Sequence, residues 1–241
     1  MTTKVLTIII PVRSEAETIE ATLLKLTQSV HTPHSVFVVD DHVSPMDITR
    51  DIVLHYQKQY KNIYWITKNQ YDADGFGPAL CRGVKFVRTP YTIFVMADGC
   101  DDTNDIDTMV NVAKTSSFDV ICGCRYMKGG RKVGGPLLQH ICSFFLNYCL
   151  SFLGIGTRDA TNAFKLYKTS FLRSIIPKRA LSGVEFSLQL TIEGYRKHGN
   201  YKDISTIWRG RTKGISKVKL IIRGPKYIVL LIKAVSAKCQ L

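Results

Sequence analysis

Two groups of carboxylates each stand where an apolar run ends: Val36-Phe37-Val38-Val39-Asp40-Asp41, and Ile93-Phe94-Val95-Met96-Ala97-Asp98-Gly99-Cys100-Asp101-Asp102. Hard oxygen ligands gathered in this way suit a divalent metal, a sugar or a ribose. Asp also favours turns and helix starts, so either group alone is as readily structural as functional. Two groups at equivalent positions tilt the balance towards a site. In an open parallel sheet the carboxyl ends of the strands border one crevice, and ligands bind there.

The elements that must hold these residues are legible as alternating patterns. Apolar runs predict strands over about 4–10, 35–40, 62–67, 91–96 and 118–123, and helical periodicity predicts helices over about 15–29, 46–60, 76–88 and 104–115. That spacing implies βαβ units around a mostly parallel central sheet with flanking helices, an α/β fold. The turn after the first strand is Pro11-Val12-Arg13-Ser14-Glu15, without the glycines of a dinucleotide fingerprint or a P-loop. Gly75-Phe76-Gly77 lacks a preceding strand and reads as a loop.

Beyond Gly123 the pattern changes. The turn Lys128-Gly129-Gly130-Arg131-Lys132-Val133-Gly134-Gly135-Pro136 introduces an aromatic helix over about 136–154, carrying Phe144, Phe145, Tyr148 and Phe152 and flanked by cations. Such a helix either lies in a membrane interface, apolar face down, or is buried in the core. A further helix is expected over about 183–198 with Glu185 in its first turn, then a strand over 201–208 and the basic loop 209–217. Glycines beside cations suit a phosphate clamp, and an ordinary surface loop is the alternative.

The 241 residues carry a net charge of +14, unevenly: residues 1–120 sum to −4 and residues 121–241 to +18. A cationic half of this kind seeks nucleic acid, anionic headgroups or a phosphorylated substrate. No zinc-finger, helix-turn-helix or RNA-recognition signature accompanies it, and nucleic acid would leave the acidic groups unexplained. Seven cysteines, an odd number mostly inside apolar runs, read as buried free thiols in a reducing compartment. Cys122-Gly123-Cys124 has no second pair at ligand spacing. Residues 5–12 are too short for a signal peptide, and polar residues interrupt the apolar stretch 137–155, so no bilayer span is expected.

In order, Ile8-Ile9-Ile10-Pro11-Val12-Arg13-Ser14-Glu15, Val38-Val39-Asp40-Asp41, the Asp98 group, and Gly123-Cys124-Arg125-Tyr126 with Gly129-Gly130 resemble the family 2 glycosyltransferases of the GT-A fold. Within that family the chain looks most like the dolichyl- or polyprenyl-phosphate mannosyltransferases. Asp159-Ala160-Thr161-Asn162-Ala163-Phe164-Lys165 resembles the segment after their amphipathic helix, and Arg211 with Gly214-Ile215-Ser216-Lys217 resembles their closing loop. The similarity runs to about residue 220.

The resemblance implies inverting transfer of a hexose, mannose or glucose, from GDP-mannose or UDP-glucose to a polyprenyl or dolichyl phosphate. It implies that Pro11, Arg13 and Glu15 line the nucleotide, with Asp40, Asp41 and Asp98, and that Mg²⁺ or Mn²⁺ sits on the acidic group. Arg125, Arg131, Ser143, Arg211 and Lys217 would meet the acceptor phosphate. Asp98-Gly99-Cys100-Asp101-Asp102 departs from the family's Asp-x-Asp, and Asp98 and Asp101 are the expected metal ligands. With Arg125 and Arg211 they form the expected catalytic set. One continuous domain is expected: a donor half over 1–125, an acceptor half over 126–220 and an amphipathic tail over 221–241. Without trailing membrane helices, the expected place is peripheral, at the cytosolic face of a membrane. A transferase acting on a hydroxyl instead requires a carboxylate base, for which Asp102 and Glu185 are the candidates. A non-catalytic relative is the last alternative.

Overall fold

The computed structural model describes residues 3–41, 44, 46–211 and 220–238. Its centre is β1 (Leu6–Val12), a run of seven residues that are all buried. A strand covered on both faces needs no polar alternation, which is why the sequence reads as continuously apolar there. Ile8 and Ile10 enter one core cluster, and Ile9 enters the other, on the opposite face.

Around it stand α1 (Ile19–Ser29), β2 (His34–Asp40), α2 (Thr49–Gln59), β3 (Ile63–Ile66), α3 (Phe76–Phe86), β4 (Tyr91–Phe94), α4 (Asp105–Thr115) and β5 (Val120–Cys124). The second half adds β6 (Arg131–Val133), α5 (Leu137–Phe152), β7 (Lys165–Lys168), α6 (Thr169–Ile175), α7 (Phe186–Arg196), β8 (Tyr201–Ser205), β9 (Ile207–Arg209) and α8 (Leu220–Lys238). Seven strands form one sheet in the order β3-β2-β1-β4-β7-β5-β8, parallel except for β7, which runs antiparallel to both neighbours. α3 approaches β1 closely because it offers Gly83, where an added Cβ would lie 2.8 Å from the Ile9 side chain.

Register decides where the acidic groups go. Val12 pairs with Asp40 and Ile9 with Phe94, so β1, β2 and β4 end on the same edge of the sheet. Both groups leave from that edge.

Several elements depart from the sequence expectation or add to it. The strand expected over 201–208 is two: Thr206, 3% exposed, turns the chain, so that β8 stays in the main sheet and β9 pairs with β6 in a two-stranded parallel sheet. β7 carries no strand signal because it begins with a lysine, yet Lys165 is fully buried, its Nζ donating to the carbonyls of Ala160 and Asn162. α6 follows β7 without a turn residue to announce it. The tail forms α8, with Leu230 and Ala234 packed among Leu150 of α5 and Leu188 and Ile192 of α7.

α5 is not a core helix. Of its 16 residues only Asn147 and Leu150 are buried, whereas Leu137, Leu138, Ile141, Phe144, Phe145, Tyr148 and Phe152 are 53–72% exposed. Ile228, Val229 and Ile232 of α8 are also exposed. No helix among the described residues is long and apolar enough to cross a membrane.

Candidate active site

A cavity of about 770 Å³ opens at the carboxyl edge of the sheet. Its charged end carries Arg13, Glu15, Asp41, Asp98 and Arg211; its other end, between α5 and α8, is lined by Leu146, Tyr227, Ile228 and Leu231.

Just past β1, Arg13 reaches across to the end of β2. Its Nε donates to the Asp41 carbonyl at 2.8 Å and its Nη2 to Asp41 Oδ1 at 3.2 Å. The same carboxylate oxygen accepts the Gly75 N–H and so fixes the loop before α3. Burial nevertheless raises the Asp41 pKa above its ordinary value. Asp40 lies outside the cavity lining, and its carbonyl accepts from Arg82. Pro11 and Glu15 line the cavity, and Glu15 is held by its own N–H, which donates to Thr49 Oγ1 at 2.8 Å.

The four acidic residues after β4 scatter. Gly99 adopts φ +69°, and in this turn Asp98, which lines the cavity, accepts the Cys100 N–H on Oδ1 at 3.2 Å and leaves Oδ2 towards Arg211. Asp101 points inward: it is 4% exposed and accepts the Met96 N–H at 2.8 Å. Burial, reinforced by the nearby Asp98, pushes its pKa up to about 7 despite that hydrogen bond. Asp102 accepts from Arg209 at 2.7 Å, and Asp105 from Thr206 at 2.6 Å. Of the two carboxylates expected at a cation, Asp98 lines the cavity and Asp101 is buried outside the lining; Asp98 alone of this group lines the cavity.

Arg211 crosses to this end, with Nη2 2.6 Å from Glu15 Oε2 and Nε 3.4 Å from Asp98 Oδ2. Among the described residues no group of three or more His, Cys, Asp or Glu side chains forms a metal cage. A single carboxylate still fits Mg²⁺ or Mn²⁺, because such ions are commonly held by one or two carboxylates together with substrate phosphate oxygens. Asp98 has the position and the donor type for that.

Arg125 lines the cavity, but its fork is already occupied: Nε and Nη2 donate to the two oxygens of Asp159 at 2.7 and 2.8 Å. Asp159 is fully buried. Burial alone would raise its pKa, but Arg125 holds it below the ordinary value. Arg125 Nη2 also donates to Thr161 Oγ1 at 3.1 Å, and Asn147 Nδ2 donates to the same oxygen at 2.9 Å. Ser143 Oγ accepts from the Tyr126 hydroxyl at 2.9 Å and lies 3.1 Å from Thr161 Oγ1. α5 is thus stitched to the cavity wall through Ser143 and Asn147.

Arg131, expected at a phosphate, is exposed and outside the cavity lining. Alternation along β6 brings Lys132 into the cavity instead, with its Nζ 5.0 Å from the Trp208 ring centroid. Burial first, then the charge of Arg125, lowers the Lys132 pKa to about 8. Sequence reasoning missed Lys132 because a three-residue strand inside a glycine-rich turn leaves no periodicity to read. Lys217 lies outside the described residues. Cys122 and Cys124 are buried free thiols of β5.

The sheet is mostly parallel, and its carboxyl edge opens on a cavity walled by Asp98 and by Arg13, Arg125 and Arg211. Solved structures similar in shape include glycosyltransferases of the GT-A fold. Glucosyl-3-phosphoglycerate synthase from Mycobacterium tuberculosis, in complex with Mn²⁺, UDP and glucosyl-3-phosphoglycerate, matches with a TM-score of 0.71 at 14% identity, over 97% of this chain and 80% of that one. Its complex with Mn²⁺, UDP-glucose and phosphoglyceric acid matches with a TM-score of 0.71 at 14% identity, over 98% and 80%. Residues 7–176 match Glycosyl transferase family 2, and the chain belongs to that family. A dolichyl-phosphate beta-glucosyltransferase, ALG5A, from Trichomonas vaginalis is 27% identical over 137 residues, which span 55% of this chain and 41% of that relative's length.

Proposed function

We propose that this chain transfers a hexose from a nucleotide diphosphate sugar to a polyprenyl or dolichyl phosphate at a membrane surface, with inversion at the anomeric carbon. One observation carries the reading: a single cavity has a charged end at the sheet edge and an apolar end between α5 and α8, next to their exposed apolar faces. A hydrophilic donor and a lipid acceptor need that polarity.

At the charged end, Arg13 and Asp41 take the base or ribose side of the donor, and Glu15 and Asp98 lie towards its diphosphate. Asp98 would hold Mg²⁺ or Mn²⁺, which when bound neutralises charge developing on the diphosphate leaving group. Arg211 offers a planar fork beside the same oxygens. UDP-glucose is the donor we expect, since glucose is the sugar named for the curated relative and for the solved neighbour, with GDP-mannose as comparator.

The acceptor needs placement more than activation. A phosphate monoester has a second pKa of about 6 and is mostly dianionic at neutral pH, so no base is required. The two carboxylates expected from the sequence as bases for a hydroxyl acceptor lie outside the cavity lining: Asp102 pairs with Arg209, and Glu185, fully buried, with Lys226 at 3.2 Å. The carboxylates that do line it, Glu15, Asp41 and Asp98, are each held by an arginine, which supports the phosphate acceptor over the hydroxyl one. α5 and α8 bed their apolar faces at the boundary of headgroups and acyl chains, with cations of the second half on the headgroups, a peripheral arrangement at the cytosolic face.

The test is acceptor choice. Purified protein with Mn²⁺ and either UDP-glucose or GDP-mannose is given farnesyl phosphate in one reaction and a panel of sugar hydroxyls in another. A glycosylated farnesyl phosphate and no product on hydroxyls is expected; products on hydroxyls alone would reverse the assignment.

A further inference from the structure

We propose that Lys132, backed by Ser143 and Arg125, is the seat of a phosphate monoester in this cavity; the identification of that monoester as the lipid acceptor rests on the function proposed above. The other cavity cations have carboxylate partners: Arg13 has Asp41, Arg125 has Asp159, and Arg211 has Glu15 and Asp98. Lys132 makes no salt bridge with any described residue: its Nζ lies 5.0 Å from the Trp208 ring centroid, and the nearby Asp159 carboxylate that attracts it is already paired with Arg125. A half-buried cation without a counter-charge of its own is costly, and an arriving anion removes the cost.

Its place fits an acceptor. β6 is held in register by β9, with Lys132 opposite Trp208, so the lysine is mounted on a paired strand and not on a free loop. Ser143 lines the same cavity from α5, and one turn further along that helix Leu146 begins the apolar wall. A phosphate at Lys132 and Ser143 would send its ester chain along Leu146, Ile228 and Leu231. Arg125 is turned away by Asp159 as a direct fork but adds positive potential behind the lysine, a smaller contribution beside burial to the lowered Lys132 pKa. The family resemblance implies Arg125, Arg131, Arg211 and Lys217 as the acceptor cations; of these, Arg131 is one residue from Lys132 in β6 and is exposed outside the cavity lining.

The chain has two tryptophans, Trp65 and Trp208, so a Trp65→Phe background makes Trp208 emission a direct report on Lys132. Farnesyl phosphate, 3-phosphoglycerate, inorganic phosphate and farnesol are titrated in turn. Farnesyl phosphate is expected to change Trp208 emission saturably and farnesol not to. Lys132→Met should weaken farnesyl phosphate at least about tenfold and Lys132→Arg less, while the UDP-induced melting shift with Mn²⁺ stays as in the parent, showing the fold intact. Arg131→Met should weaken it less than Lys132→Met. If 3-phosphoglycerate, and not farnesyl phosphate, binds in a Lys132-dependent way, the phosphate seat stands and the lipid acceptor falls. If Lys132→Met binds like the parent, or no phosphate monoester alters Trp208, the seat is refuted even where transfer to farnesyl phosphate is observed.

Discussion

Asp98 and Asp101 are three residues apart and have opposite fates. Asp98 faces the cavity, and Asp101 is sealed beneath the loop, accepting the Met96 N–H. A carboxyl whose folded pKa, about 7, exceeds its ordinary 3.8 favours its protonated form, so its contribution to stability is intact below pH 3.8 and is lost as pH rises through 7. Asp101→Asn keeps the acceptor oxygen and removes the ionisation. Its melting point should therefore gain on the wild type between pH 5 and pH 8 and then level off; a gap independent of pH would show that Asp101 is not buried as described. That carboxylates gather at the ends of apolar runs was plain from the sequence. Which of them faces ligand was not, because a single turn at Gly99, with φ +69°, decides it. Lys132 was hidden for a related reason: facing is set by strand alternation, and β6 is too short to display one.

At the scale of elements, long apolar or periodic segments were legible, and short or polar ones were not. β1, β2, α3 and α4 lie close to where the pattern put them, since burial on both faces of a sheet writes itself into composition. β7 escaped because its first residue is a buried lysine satisfied by backbone carbonyls, an arrangement that looks like a surface charge in the sequence. α5 was left between interface and core, and its exposed Leu138 and Phe145 settle that it presents an apolar face outward. Exposed positions contribute little to folding, so Leu138→Ser with Phe145→Ser should leave stability within about 0.5 kcal/mol per site. The same pair should weaken co-sedimentation with anionic vesicles roughly tenfold or more, since each side chain gives up about 1.5–3 kcal/mol of apolar burial. Unaltered vesicle binding would remove α5 from the membrane surface.

Over the whole molecule, the split of charge between −4 and +18 is not matched by a split of the hydrophobic core. Both core clusters draw on both halves, one with Phe164 and Leu166 beside Leu6, the other with Tyr167 and Phe186 beside Ile9. The halves meet instead across the cavity, where Arg211 from the basic half rests on Glu15 and Asp98 from the acidic one. That meeting depends on tertiary register, and composition gave only its sign. The most direct measurement is the melting point of wild type and Asp98→Asn with UDP or GDP, with and without Mn²⁺, because a ligand that binds the folded form alone raises it. The account predicts a rise of several degrees for one nucleotide, dependent on Mn²⁺ and absent in Asp98→Asn. An equal rise without metal, or an undiminished one in Asp98→Asn, would contradict it.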